Sequence, residues 1–380
     1  MLRFKRAILK SRRAAILTLF MFMLPVLLVM LGFAVDMAYM QLVQTEMRLA
    51  SDNAARVAAD NLSRYENESR AIEAGIEVAG EFTVAGKPLR LSTDDFTFGR
   101  AVADPTGTFL FNPAMTPFNA VQVNSVRNAT NIDGAVPLFF SRLIGSQDYS
   151  PQIAATASFL NVDVCLVLDR STSMKFTVDS AETGMSVNDR RFCRAPSASS
   201  RWVALDKSVK LFNGVLRANS AEEQVSIVTF GSDLDTVRVG LCGRRPSATL
   251  DMQLSTNLDA ADGTINTLSN SVWNGNTEIA AGIQLGTQEL IGPRSRRFAD
   301  RVMIVLTDGF PTAGDAIAAA SEAAANRIVV YAITFGADGD QAHMKQVAAA
   351  GNGEHAHAAT ENELKEIFRR FAAKATILIQ

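Results

Sequence analysis

Three cysteines and three histidines are scattered through 380 residues, and no acidic or basic excess stands out, the net charge being −2. So few cysteines exclude a small domain stapled by disulfides, and they lack the paired CxxC spacing of a zinc site. Three histidines, all near the C-terminal end, leave little material for imidazole catalysis. Near-neutrality, with no arginine-rich stripe interleaved with aromatics, excludes nucleic acid as the main partner. A metal-dependent hydrolase would need a general base poised to activate water, and none is evident. The composition points to a non-enzymatic protein. The length suits about two domains of 100–200 residues and something extra.

The extra part is at the N-terminus. Lys5, Arg6, Lys10, Arg12 and Arg13 precede a run of 22 uncharged residues, Ala14 to Val35. A bilayer needs about 20 apolar residues, whereas a signal-peptide core has about 7–15. No small-x-small cleavage site follows. The spacing predicts a cytoplasmic basic tail over 1–13 and a transmembrane helix over 14–35. Pro25 inside it is tolerable in a membrane. Positive charge before the span and acids after it keep the tail inside and export the rest. The expected location is a bacterial inner (cytoplasmic) membrane, crossed once, with C-terminal domains periplasmic or extracellular.

The helical pattern then continues over 36–80. Met40, Val43, Met47, Ala50, Ala54 and Val57 draw one apolar stripe. No glycine or proline interrupts Asp36 to Arg70, so one rod of about 50 residues, roughly 75 Å, starting in the membrane, is expected. Its stripe either packs on the chain's own downstream domain or meets a like helix of other assembly proteins in a filament or assembly platform. Over 81–160 the period changes to alternation: "LRLSTDDFTFG", "TGTFLFN", "NAVQVNSV" and "IAATASF" predict a small antiparallel β domain.

From Val162 strands and helices alternate, which predicts a doubly wound, Rossmann-like α/β domain over 161–380. "VDVCLVL", "QVSIVTFG", "RVMIVLTDG" and "IVVYAITFG" are its strands. "DTVRVG" is the expected hairpin partner of the second, and Ser199 or Ser200 the expected cap of the helix beginning at Arg201. Ligand sites in such sheets lie outside the carboxyl ends of the strands. The first strand delivers Asp169, Ser171 and Ser173 to that edge. "LTDG" delivers Asp308, and "WNGNTEIAAGI" brings Thr277 at a helix start. Two carboxylates and three hydroxyls make an all-oxygen shell, which suits a hard divalent cation, Mg²⁺ before Ca²⁺ or Mn²⁺. Two carboxylates only neutralise such an ion, so a carboxylate from a protein partner can complete its shell. Alone, Asp-x-Ser-x-Ser is usually a capped turn; Thr277 and Asp308 in register argue against that reading. His355 and His357 read as solvated loop residues, and Cys165 as a buried inert thiol. Cys193 and Cys242, in polar stretches, either pair in an oxidising compartment or stay free.

Two resemblances gather these pieces. "LPVLLVMLGFAVDMAYMQLVQTEMRLASDNAARVAAD" resembles the amino-terminal segment of TadE/TadG-like proteins of tight-adherence (Flp) pilus assembly. Asp169, Ser171, Ser173, Thr277 and Asp308 occur in the order of the metal-ion-dependent adhesion site (MIDAS) of von Willebrand factor A (VWA) domains. Thr172 departs from the glycine common there, and residues 175–200 form a longer insertion beside the loop. Together they imply a membrane-anchored pilus-assembly or cell-adhesion protein with a metal-binding head. The alternative is an anchored A-domain protein recruiting envelope or extracellular partners unrelated to pili.

Overall fold

The computed structural model describes residues 5–103, 109–131, 133–140, 145, 148–159, 161–178, 193–218, 223–231, 246–273, 275–337 and 339–377. Two compact units divide the chain, Met1–Ala101 with Phe111–Ser158, and Val102–Leu110 with Phe159–Gln380.

Helix α1 (Lys5–Tyr65) carries the apolar run and keeps going. The side chains of its most apolar part stand exposed, and the helix is long and apolar enough to cross a membrane. Beyond Asp36 one face turns inward: Val43, Met47, Ala50, Ala54, Ala58 and Leu62 are buried. The expected rod to Arg70 is cut short. Glu66 adopts a left-handed φ of 50°, and the Asn67 side chain accepts the Arg70 N–H to cap a new helix, α2 (Glu68–Glu81). An asparagine cap can thus open a new helix where neither glycine nor proline marks the break. Helix α2 buries Ala71, Gly75 and Ala79 and packs along α1.

The same face of α1 also rests on strands β5 (Ala120–Val126) and β6 (Gln152–Ser158). Ser51 Oγ meets Ser125 Oγ at 2.6 Å across that contact. The stripe is therefore covered by the chain's own β domain. A short hairpin, β1 (Thr83–Val84) and β2 (Lys87–Pro88), precedes a four-stranded sheet. Its order is β4-β3-β5-β6, with β3 spanning Phe96–Ala103 and β4 Phe109–Pro113. The "LRLSTDDFTFG" stretch is a strand only from Phe96: Ser92 N–H and Oγ–H both donate to Asp95, winding a turn before it.

The second unit is a six-stranded sheet of order β12-β11-β10-β7-β8-β9. Strands β7 (Val162–Asp169), β8 (Gln224–Phe230), β10 (Asp300–Thr307), β11 (Ile328–Phe335) and β12 (His355–Ala358) run parallel. Strand β9 (Ala248–Ser255) closes one edge antiparallel to β8. It occupies the place expected for "DTVRVG", which lies outside the described residues. His355 and His357 belong to β12, not to a solvated loop. Their Nε2 and Nδ1 atoms both meet Thr334 Oγ1, at 2.9 and 3.0 Å.

Alternation along β7 builds two cores. Val164, Leu166 and Leu168 face α3 (Arg201–Arg217), α4 (Leu258–Ser269) and α8 (Glu361–Ile377). Cys165 and Val167 face α5 (Ile279–Leu290), α6 (Ala316–Ala325) and α7 (Gln341–Ala350). Ser200 caps α3, accepting the Val203 N–H. Helix α5 lies close on the sheet because Gly282 and Gly286 share one face; a Cβ on Gly282 would stand 2.8 Å from Val167 and Phe230 atoms. Chain order reverses at β7, which has β8 on one side and β10 on the other. That is the switch point at which a crevice opens beyond the strand ends.

Candidate functional site

Strand β7 ends on Asp169, fully buried at that crevice. Its Oδ1 accepts the Ser171 N–H at 2.6 Å, which turns the chain tightly after the strand. Its Oδ2 accepts Thr307 Oγ–H at 2.6 Å, from the last residue of β10. A 3₁₀ turn over Thr172–Lys175 then brings Ser173 back beside Ser171, their Oγ atoms 2.9 Å apart. Ser173 Oγ–H donates to Asp308 Oδ1 at 2.6 Å. A hydrogen-bonded path thus runs from the loop after β7 to the loop after β10.

Thr277 approaches from the start of α5. Its carbonyl accepts Thr312 N–H at 2.8 Å and Thr312 Oγ–H at 2.9 Å, which fixes the backbone there. A Cβ built on Gly309 would stand 3.0 Å from Thr277 Oγ1 and 3.6 Å from Ser173 Oγ. Both hydroxyls therefore border one point beside Asp308. The fold brings the five sequence-predicted residues to a single sheet edge, all but Ser173 buried.

Two neighbours escaped the sequence reading, Arg201 and Thr307, and a third, Thr172, was legible only as a departure from glycine. Arg201, buried at the first position of α3, donates from Nη1 to Asp308 Oδ2 at 2.8 Å. A cation in the first turn opposes the helix dipole, and that anomaly in "SSRWVAL" is the signal that an acid waits nearby. Thr307 holds Asp169, as described above. Thr172, where glycine is common in the resembling family, both donates to Gly275 O and accepts Gly275 N–H through its Oγ1, at 3.2 Å. It ties the Asp169 loop to the loop leading to Thr277.

The electrostatics follow from burial. Asp169 is pushed up to about 7, first by loss of solvent and then by the charge of Asp308; Thr307 and Ser171 pull the other way. Asp308 is also raised by burial, against the opposing pull of Arg201 and Ser173. Two dry carboxylates with one guanidinium in direct contact leave uncompensated negative charge, and burying it is costly. Oxygen donors only, in a place that favours added positive charge, fit a hard divalent ion. Among the described residues no group of three or more His, Cys, Asp or Glu offers a rival metal site.

Of the insertion between 175 and 200, residues 179–192 lie outside the described part. Lys175 Nζ donates to Arg194 O at 2.8 Å and stands 4.7 Å over the Trp273 ring. Cys193 is disulfide-bonded, and Cys165 is free and buried. Cys242 lies outside the described residues. Burial pushes the Cys165 thiol up to about 12, which makes it unreactive.

A parallel sheet with one antiparallel edge, flanked by helices on both faces and bearing Asp-x-Ser-x-Ser at its switch point, defines an A-type α/β domain. Residues 163–370 match the von Willebrand factor type A domain, and the chain belongs to that family. Residues 14–61 match the putative Flp pilus-assembly TadE/G-like family. Its exposed apolar helix is long and apolar enough to serve as a membrane anchor. No curated protein matches the chain.

Solved structures show a similar chain path. An aerotolerance-related membrane protein from Bacteroides fragilis is 18% identical, covering 56% of this chain and 99% of its own, with a TM-score of 0.41. A von Willebrand factor type A protein from Catenulispora acidiphila is 16% identical over 68% of this chain and 45% of its own, with a TM-score of 0.42. Proximal thread matrix protein 1 from the mussel byssus, with a zinc-occupied MIDAS motif, is 17% identical over 57% and 46%, with a TM-score of 0.39. At such identities the likeness concerns fold alone.

Proposed function

We propose that this chain is an exported pilus-assembly or adhesion protein of the bacterial inner membrane, and that its A domain grips a partner protein through a divalent cation. Asp169, Ser171, Ser173, Thr277 and Asp308 would hold the ion, Mg²⁺ before Ca²⁺ or Mn²⁺. When bound, the ion supplies an electrophilic point for an Asp or Glu of the partner. The carrying observation is the path Asp308–Ser173–Ser171, which joins carboxylate and hydroxyl oxygens on loops from separate strands at one largely buried edge. Asp169 anchors the turn, Thr172 ties in the loop before Thr277, and Arg201 orients Asp308. The reading is adhesion and assembly, not catalysis. The basic residues before Ala14 keep the tail in the cytoplasm and the A domain outside. The TadE/G-like segment favours pilus assembly over recruitment unrelated to pili.

The test uses detergent-solubilised full-length protein, wild type and Asp169→Ala, with Mg²⁺ or with chelator. Binding of Mg²⁺ is read by calorimetry and recovery of envelope proteins by pull-down. Wild type should bind the ion and recover partners only with Mg²⁺, and the variant should do neither. Equal recovery in all four samples would reject the reading.

A further inference from the structure

Two phenylalanines of the β domain sit where the apolar span ends. The N–H of Phe139 donates to Asp36 Oδ1 at 2.9 Å, and the N–H of Phe140 reaches Oδ2 at 3.1 Å. Asp36 is the first charged residue after the run that begins at Ala14, and it is buried. One helical turn earlier, a Cβ on Gly32 would stand only 2.8 Å from Phe140 Cγ. The Phe140 ring therefore lies directly against the helix, at the level of a residue inside the apolar run. One turn is about 5.4 Å, so the ring sits on the hydrocarbon side of Asp36. Phe139 packs its ring against Tyr39, with centroids 4.9 Å apart.

Both rings nonetheless remain open outward, Phe139 by 61% and Phe140 by 45%. Phe33, Val35 and Met37, on the same stretch of helix, are exposed as well. In water this would be an adjoining apolar patch with no cover. At the edge of a bilayer it is continuous with a surface already meant for lipid. A carboxylate at that depth is costly unless it is paired or bonded to backbone, and two N–H donors from the loop meet the need. The loop thus satisfies the acid and turns its own rings to the lipid.

We propose that Phe139 and Phe140 form a foot that seats in the interfacial layer of the bilayer on the side where Asp36 emerges. The occupant is lipid, because the patch continues the exposed face of the span. The foot holds the β domain down on the membrane, so that α1 cannot swing freely about its exit point. This proposal rests on α1 spanning a membrane and is independent of the cation site.

Full-length Phe139→Trp and Phe140→Trp proteins, reconstituted in vesicles of phosphatidylcholine and phosphatidylglycerol, test it. Trp202 and Trp273 are buried in the A domain and give a constant background that wild type subtracts. The added emission should be blue-shifted, largely quenched by lipids brominated near the headgroup, and inaccessible to iodide. Asp36→Ala in the same background should shift it red and open it to iodide, with helix content unchanged by circular dichroism. Quenching by iodide and not by lipid, in protein that sediments with the vesicles, would overturn the proposal. Lipid quenching that disappears as the protein-to-lipid ratio rises would also overturn it, by showing that a second copy covers the rings. Protein left in the supernatant would remove the span and the foot together.

Discussion

Arg201 changes the charge count at the crevice. Asp169 and Asp308 against a divalent ion would leave the site neutral, with little pull on another carboxylate. Including the buried guanidinium, a cation-loaded site would be net positive, and a partner's Asp or Glu would meet real attraction. Arg201→Met should therefore split two properties that most substitutions lower together. Cation affinity should rise, because a competing positive charge is gone, while partner recovery at saturating Mg²⁺ should fall. The unloaded protein should lose about 3–5 kcal/mol, the usual cost of leaving one member of a buried ion pair alone, and Mg²⁺ should restore much of it. Calorimetry and thermal melts with and without Mg²⁺ read these effects; unchanged cation affinity would show that Arg201 only packs. That the five residues proposed to hold the cation meet at one sheet edge was legible from spacing, because each follows a recognisable strand or precedes a helix. Arg201, Thr307 and Thr312 were not, since their roles depend on which strands become neighbours.

Elements place those residues, and α5 does so most visibly. Its glycine face lets the helix sit on Val167 and Phe230, and Thr277 lies just ahead of its N-cap, Glu278. Gly282→Ala puts a methyl 2.8 Å from both neighbours. Overpacking of this kind costs about 1–3 kcal/mol, and lifting the helix end should also weaken Mg²⁺ binding. A lowered melting temperature with unchanged cation affinity would mean that Thr277 is held by Thr312 alone. At this scale the sequence was readable wherever a strand was buried on both faces, as in β7, β8, β10 and β11, whose apolar runs are nearly unbroken. It misled at edges. The edge strand β9, "ATLDMQLS", is partly solvated and carries little β-branched character, whereas "DTVRVG" has the stronger local pattern. The break at Glu66 was invisible for a related reason: neither glycine nor proline marks it, and only the Asn67 cap betrays it.

At the scale of the whole molecule, the proposed export of the A domain would place it in an oxidising compartment, where disulfides persist. Cys193 is bonded, and Cys242 is the cysteine left once Cys165 is known to be free. A Cys193–Cys242 bridge would close a loop of about 50 residues, worth about 4 kcal/mol in the chain-entropy account. Peptide mapping of non-reduced protein should recover the two half-cystines in one linked peptide, and reduction should lower the melting temperature. Both thiols free in protein isolated from the membrane would refute the pairing.

The hydroxyl of Ser173 and the carboxylate it meets on Asp308 lie 135 residues apart in the chain. A chain threaded outward from its anchored end exposes the first half of this contact long before the second. Nothing can close the crevice until β10 has slid in beside β7. A cation that binds only the closed edge stabilises only the finished sheet, in proportion to its concentration over its dissociation constant. The ion would then serve the chain before any partner arrives, as the clasp that tells a completed head from one still emerging.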